Sequence, residues 1–129
     1  MLTVKTHIDK SKVAGFGLFA SENIKKETVV WKLNPLLDVL LPVEEFWKQD
    51  KITKKFLNFY MYDLKTEKGY YVVCLGDNAR FVNHSNKPNI KNVNHIECIA
   101  TRNIKKGEEI TEDYRTFWYN RKKFPKSWK

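Results

Sequence analysis

From Leu2 to Ile8 (LTVKTHI) apolar and polar residues alternate, the two-residue period of a strand with one buried face. Three more runs, TVVWKL (28–33), YYVVCL (70–75) and IECIAT (96–101), are β-branched or aromatic and are predicted as strands. Only one region carries a helical period. In VEEFWKQDKITKKFLNFY (43–60), Val43, Phe46 and Trp47 share a face, as do Phe56, Leu57 and Tyr60, with a break near Asp50-Lys51. Two short helices or one bent helix fit that pattern. KTEKG (65–69) reads as a turn between two strands. The chain also repeats itself: ASENIKKETVV (20–30) and ATRNIKKGEEI (100–110) share A-x-x-N-I-K-K-x-x-x-[VI]. Two copies are too few for a solenoid. They predict a strand, a tight basic turn and a second strand, used twice in an irregular β-rich fold.

Composition narrows the class. A length of 129 residues suits one domain, 1–129, with one modest core. A hydrophobic share of 42% and 14% aromatics describe a folded chain rather than a disordered one. PLLDVLLPV (35–43), the longest apolar stretch, is interrupted by Asp38 and falls short of the ~18 residues of a membrane helix. The start lacks the apolar block of a signal peptide, so an intracellular, cytoplasmic (in a eukaryote, nuclear) protein is expected. Cys74 and Cys98 sit in apolar runs and read as buried free thiols. His7, His84 and His95 are scattered, and with no CxxC or HxxxH no metal site is expected. The net charge of +9 invites a nucleic-acid partner, but six of the Lys/Arg follow Tyr114 in a basic tail, and no recognition motif accompanies them.

Three stretches carry the candidate chemistry. In AGFGLFA (14–20), Gly15-x-Gly17-x-x-Ala20 matches a loose dinucleotide fingerprint, yet no helix pattern follows and a βαβ unit is excluded. What survives is a bend, or a close approach of backbone to a ligand. RFVNHSNKPN (80–89) leads two apolar residues into Asn83-His84-Ser85. Alone this reads as a turn, with Pro88 fixing φ, although a buried Asn and His would need partners. GEEITEDY (107–114) gathers Glu108, Glu109, Glu112 and Asp113, but neighbours on a strand point to opposite faces. The acids therefore do not converge, and a solvated turn is the ordinary reading.

Taken in order, Gly15-Phe16-Gly17-Leu18-Phe19-Ala20, Tyr60-Met61-Tyr62-Asp63-Leu64, Arg80-Phe81-Val82-Asn83-His84-Ser85 with Pro88-Asn89, and Gly107-Glu108-Glu109-Ile110-Thr111-x-Asp113-Tyr114 are much more specific. The chain resembles the SET-domain family of protein lysine methyltransferases over roughly residues 3–118. The resemblance implies a mainly β SET domain of short twisted sheets with a C-terminal pseudoknot, residues 43–60 being the variable helical insert. It implies S-adenosylmethionine as cofactor, bound by Gly15, Phe16 and Gly17 and by Asn83 and His84. Tyr114 matches the catalytic tyrosine of the family, and Tyr60 the tyrosine that helps form the lysine channel, with Tyr62 beside it. Asn83 and His84 thus become cofactor contacts, and Pro88-Asn89 turns the chain out again.

This sequence departs from the family in two places. It has no cysteine beyond Cys98 for a zinc-bearing segment after the core, and the tail offers Phe117, Trp118, Tyr119, Phe124 and Trp128 instead. Trp118 is expected over the cofactor's adenine and Phe117 at the lysine channel. Two residues before Tyr114, where the family often has an aromatic or apolar residue, stands Glu112. The resemblance puts it at the substrate channel, where its carboxylate would bind a water or the lysine ammonium, and the degree of methylation stays open. The expected partner is a protein lysine of unknown identity, and a homodimer would complete the substrate groove. A second reading stays open beside the enzyme: a SET-like module without turnover that binds nucleic acid or a protein through its basic tail.

Overall fold

A computed structural model describes residues 1–116. Its elements are β1 (Thr6–Lys10), β2 (Phe16–Ala20), β3 (Val29–Lys32), β4 (Val39–Pro42), α1 (Val43–Lys48), α2 (Lys51–Tyr60), β5 (Met61–Thr66), β6 (Gly69–Cys74), β7 (Asn83–His84), β8 (Ile90–Asn92), β9 (Glu97–Ala100) and β10 (Glu109–Glu112). They form three small sheets, ordered β1-β2-β10-β7, β3-β9-β8 and β4-β6-β5. Leu18, Val30, Trp31, Tyr62, Val73, Ile90, Cys98 and Ile110, from all three sheets, share one buried core.

The sequence repeat is realised as a pair of like turns. Ile24 and Ile104 exchange backbone hydrogen bonds of 2.8 Å in both directions. Asn103 Oδ1 accepts from the Lys26 N–H and Asn23 Oδ1 from the Lys106 N–H, each at 2.9 Å. Each copy thus caps the turn of the other, with the isoleucines buried and the lysines exposed.

The helical region splits where the pattern breaks. Asp50 caps α2, accepting from the backbone N–H of Ile52 and Thr53. The apolar faces behave differently from the expectation. Phe46 of α1 is buried, but Trp47, Ile52, Phe56 and Phe59 are exposed and α2 buries no residue fully. Of α2's apolar residues Leu57 packs on the small cluster of Phe46, Met61 and Val72, so helical periodicity here marks amphipathicity without burial. PLLDVLLPV holds an edge strand, β4, and its interruption has a use: buried Asp38 accepts from the backbone N–H of Asn34 at 2.8 Å and Gly76 at 3.1 Å. Cys74 is half-buried and Cys98 buried, both as free thiols. No helix among the described residues is long and apolar enough to cross a membrane.

One strand organises the site. β10 pairs antiparallel with β2 (Glu109↔Phe19, Ile110↔Leu18) and parallel with β7 (Thr111↔Asn83, Glu112↔His84). Asn89, expected to turn the chain outward, is instead buried along β10. Its side-chain oxygen accepts from Thr111 N at 2.9 Å and its amide donates to Glu109 O at 2.8 Å, satisfying strand groups that lack a neighbour there.

Candidate active site

The parallel pairing of β7 with β10 places Asn83 and His84 beside Thr111 and Glu112, and the β1–β2 turn closes on the same spot. Gly15 ends that turn at φ +49°, a left-handed conformation glycine adopts at little cost. The Asn83 amide donates to Phe16 O (3.0 Å), Ala14 O (3.3 Å) and Glu109 Oε1 (2.9 Å), and Ser11 Oγ donates to the same Glu109 oxygen at 2.7 Å. Gly17 leaves room for this arrangement, because a β-carbon there would lie 2.2 Å from Glu109 Oε1 and would push that side chain off its partners. Glu109, expected to be solvated, is thus the bracket tying the glycine turn to Asn83.

Tyr114 follows β10 and is anchored at both ends. Its backbone N–H donates to His84 Nδ1 at 3.2 Å, and its phenol donates to Val82 O. Accepting that bond requires a bare Nδ1, which leaves the ring proton of a neutral His84 on Nε2. Burial, and next the Glu112 charge, push the Tyr114 phenol well above the usual range, so it keeps its proton at neutral pH. Tyr62 donates to His95 O at 3.0 Å and is raised for the same leading reason. Asp113 is held low by its hydrogen bonds with Arg115, 2.8 and 2.6 Å long, which turn it away from catalytic work.

These residues surround a cavity of about 890 Å³. Gly15 and Phe16, Tyr60 and Tyr62, Asn83 and His84, and Glu112 and Tyr114 all line it. Gly17 does not, since it packs on Glu109. Phe117 and Trp118 lie outside the described residues. The expected solvated turn at 107–114 needs correcting for Glu112, which is only 8% exposed. The alternation argument holds, as Glu109 and Glu112 do point apart, but alternation cannot say which face is buried. Glu112 accepts from Cys98 Sγ at 3.6 Å, and burial pushes its carboxyl up to about 7.

Further wall residues carried no signal in the sequence. Asn58 Oδ1 and Trp31 Nε1 are buried in the wall with no hydrogen-bond partner among the described residues. Asn58 lies on α2 and Trp31 on β3, in runs whose local pattern speaks only of helix and strand. Arg80 also borders the cavity, its guanidinium 5.7 Å from the Tyr60 ring centre. A space walled by apolar and aromatic groups, with a free acceptor at Asn58, suits a ligand that brings its own donors.

Comparison with known proteins gives a consistent picture. Residues 15–115 match the model of the SET domain. A Debaryomyces hansenii histone-lysine N-methyltransferase, H3 lysine-36 specific, is 31% identical over 125 residues, covering 90% of this chain and 17% of that protein. The Arabidopsis thaliana histone-lysine N-methyltransferase ASHH3 is 30% identical over 122 residues, covering 84% of this chain and 33% of its own length. The chain therefore spans a third or less of these relatives. Among solved structures, Chaetomium thermophilum Polycomb Repressive Complex 2 (apo, with two mutations in Ezh2) superposes with a TM-score of 0.73 at 24% identity, over 91% of this chain and 16% of that one. A Plasmodium falciparum chain described as a candidate histone methyltransferase superposes at 0.61 with 25% identity, over 92% of this chain and 100% of its own.

Proposed function

The chain belongs to the SET-domain family, and on that premise we propose that it transfers a methyl group from S-adenosylmethionine to the side-chain amine of a protein lysine. One observation carries the reading: four segments far apart in sequence deliver Gly15 and Phe16, Tyr60 and Tyr62, Asn83 and His84, and Tyr114 to one cavity.

The wall fits the cofactor. Gly15 and Phe16 offer backbone at a turn braced by Asn83, and Asn58 offers an acceptor that the described protein leaves unused. When bound, S-adenosylmethionine supplies an electrophilic methyl group on a sulfonium. The protein's own part is positioning and exclusion of water. A lysine amine is a nucleophile only when neutral, against an ordinary pKa of about 10.4. Desolvation between Tyr60, Tyr62 and Tyr114 lowers that value. Tyr114, protonated and fixed to Val82 O, is an orienting group and cannot serve as a base. His84 is likewise no base: its Nδ1 is spent on the Tyr114 backbone.

Calorimetry with S-adenosylmethionine, followed by transfer of a radiolabelled methyl group to proteins of a cell lysate, tests this. Saturable binding and labelled lysine are expected, and Tyr114→Phe should cut transfer by about 100-fold or more through lost orientation. Binding with no transfer to any protein would leave a binding module and sink the enzyme reading.

A further inference from the structure

The proposed reaction does not account for one group in the cavity. Trp31, Tyr62, Asn92, Cys98, Glu112 and Tyr114 line a common wall. Trp31 meets Tyr62 edge to face, with ring centres 5.9 Å apart, and Cys98 Sγ touches Glu112 at 3.6 Å. Glu112 is a buried carboxyl without a cationic partner among the described residues: the ion pair nearby is that of Asp113 with Arg115. A thiol and the Asn92 backbone are weak compensation for burying a carboxylate. The other groups facing it do not replace it. Cys98 of β9, Tyr62 of β5 and Tyr114 are all raised by burial and keep their protons. Asp113, next in sequence, is held ionised by Arg115, and His84 of β7, its register partner, accepts from the Tyr114 backbone.

A buried acid facing a cavity among aromatic rings suits an incoming aliphatic ammonium, which gains both its charge partner and the ring faces. We propose that Glu112 is the ammonium-binding and proton-accepting group of this cavity. This rests on the reading of the chain as a lysine methyltransferase and adds a base that the reading lacks. The step balances: an N–H bond of the substrate ammonium breaks, an O–H bond forms on the Glu112 carboxylate, and the electron pair stays on the now neutral nitrogen. The methylated product leaves as a cation, having taken over the charge that the sulfonium gives up. Glu112 returns its proton to water once product departs. Burial supports the assignment, since it brings the carboxyl to about 7, near working pH.

The test uses the full chain, with n-butylamine as the probe for a lysine side chain. The Glu112 carboxyl carbon is followed by NMR from about pH 5 to pH 9, assigned by its loss in Glu112→Gln. Amine is expected to lower the apparent Glu112 pKa by about one unit, so it binds about tenfold tighter to the ionised carboxylate. Glu112→Gln should bind amine about tenfold more weakly at pH 8 and show no pH dependence. In methyl transfer, the same variant should lose about 100-fold at neutral pH and recover as pH approaches that of free lysine. A Glu112 resonance indifferent to amine, or an unchanged pH–rate profile, would overturn the proposal. If Glu112→Gln does not fold, Glu112→Asp supplies the assignment through its shifted carboxyl resonance, and the wild-type titration still decides. An unresponsive Glu112 beside intact methyl transfer defeats only this inference, whereas an amine response with no transfer to any protein defeats the enzyme reading instead.

Discussion

Glu112 has a consequence for stability that is separate from its proposed role. Its folded pKa of about 7 lies above the ordinary 4.5, chiefly through burial, so the folded chain binds this proton more tightly than the unfolded one. The stability tied to the neutral carboxyl is fully present below about pH 4.5 and is lost as pH rises through 7. A shift of that size corresponds to about 3 kcal/mol. Denaturant unfolding at a series of pH values should show this fall in the wild type. Glu112→Gln should flatten it and be the more stable protein at pH 8. Two acids of GEEITEDY behave oppositely, as Asp113 is lowered by Arg115 and Glu108 by the Lys105 backbone N–H. Which of four adjacent acids would be buried was not readable from their order, because alternation distinguishes two faces without naming the inner one.

Two glycines at close approaches differ in tolerance: Gly17, where β2 packs on β10, and Gly76, which follows β6 and packs on the Leu37 segment before β4. In Gly17→Ala the new β-carbon would meet a side chain, Glu109, which can swing away only by abandoning Ser11 Oγ and Asn83 Nδ2. Losing such charge-assisted bonds should cost about 2–4 kcal/mol and weaken the hold on the glycine turn. In Gly76→Ala the β-carbon would sit 1.9 Å from Leu37 O, which is backbone and cannot swing. Gly76→Ala should therefore be the worse of the two by chemical denaturation, and a ranking the other way would show that the Leu37 segment yields. The first glycine was visible as half of a Gly-x-Gly motif. The second carried no signal, since its neighbour lies almost forty residues away in sequence.

The cavity exists because the two ends of the described chain share a sheet. β2 forms before residue 21 and β10 after residue 108, and β10 must still find β7 in parallel register. Such non-local pairing pays loop-closure entropy before any contact rewards it. Refolding followed by tryptophan fluorescence in a stopped-flow mixer is accordingly expected on the millisecond-to-second scale rather than in microseconds. The reciprocal Asn23 and Asn103 caps hold the two repeats together across the same distance.

Much of this was legible along the chain. β-branched runs and the break at Asp50 marked strands, helices and the turn at 65–69, because those preferences are local, whereas the alternation over 2–8 was offset from β1, which runs Thr6–Lys10 and is mostly exposed. The order of Gly15-x-Gly17, Asn83-His84 and Asp113-Tyr114 named the family. Burial was less accessible: α2 leaves Ile52, Phe56 and Phe59 in solvent while Leu57 packs inward, and PLLDVLLPV hides an edge strand and a structural aspartate. Only the packed sheets brought Asn58, Trp31, Cys98 and Glu112 to one cavity wall with Tyr62 and Tyr114. The reason is physical: the chain's periodicities set which side chains share a face, but the register between distant strands sets what each face meets. Glu112 has the same local pattern whether it meets water or a cavity, and the pairing of β10 with β7, with Cys98 packed against it, decides for the cavity.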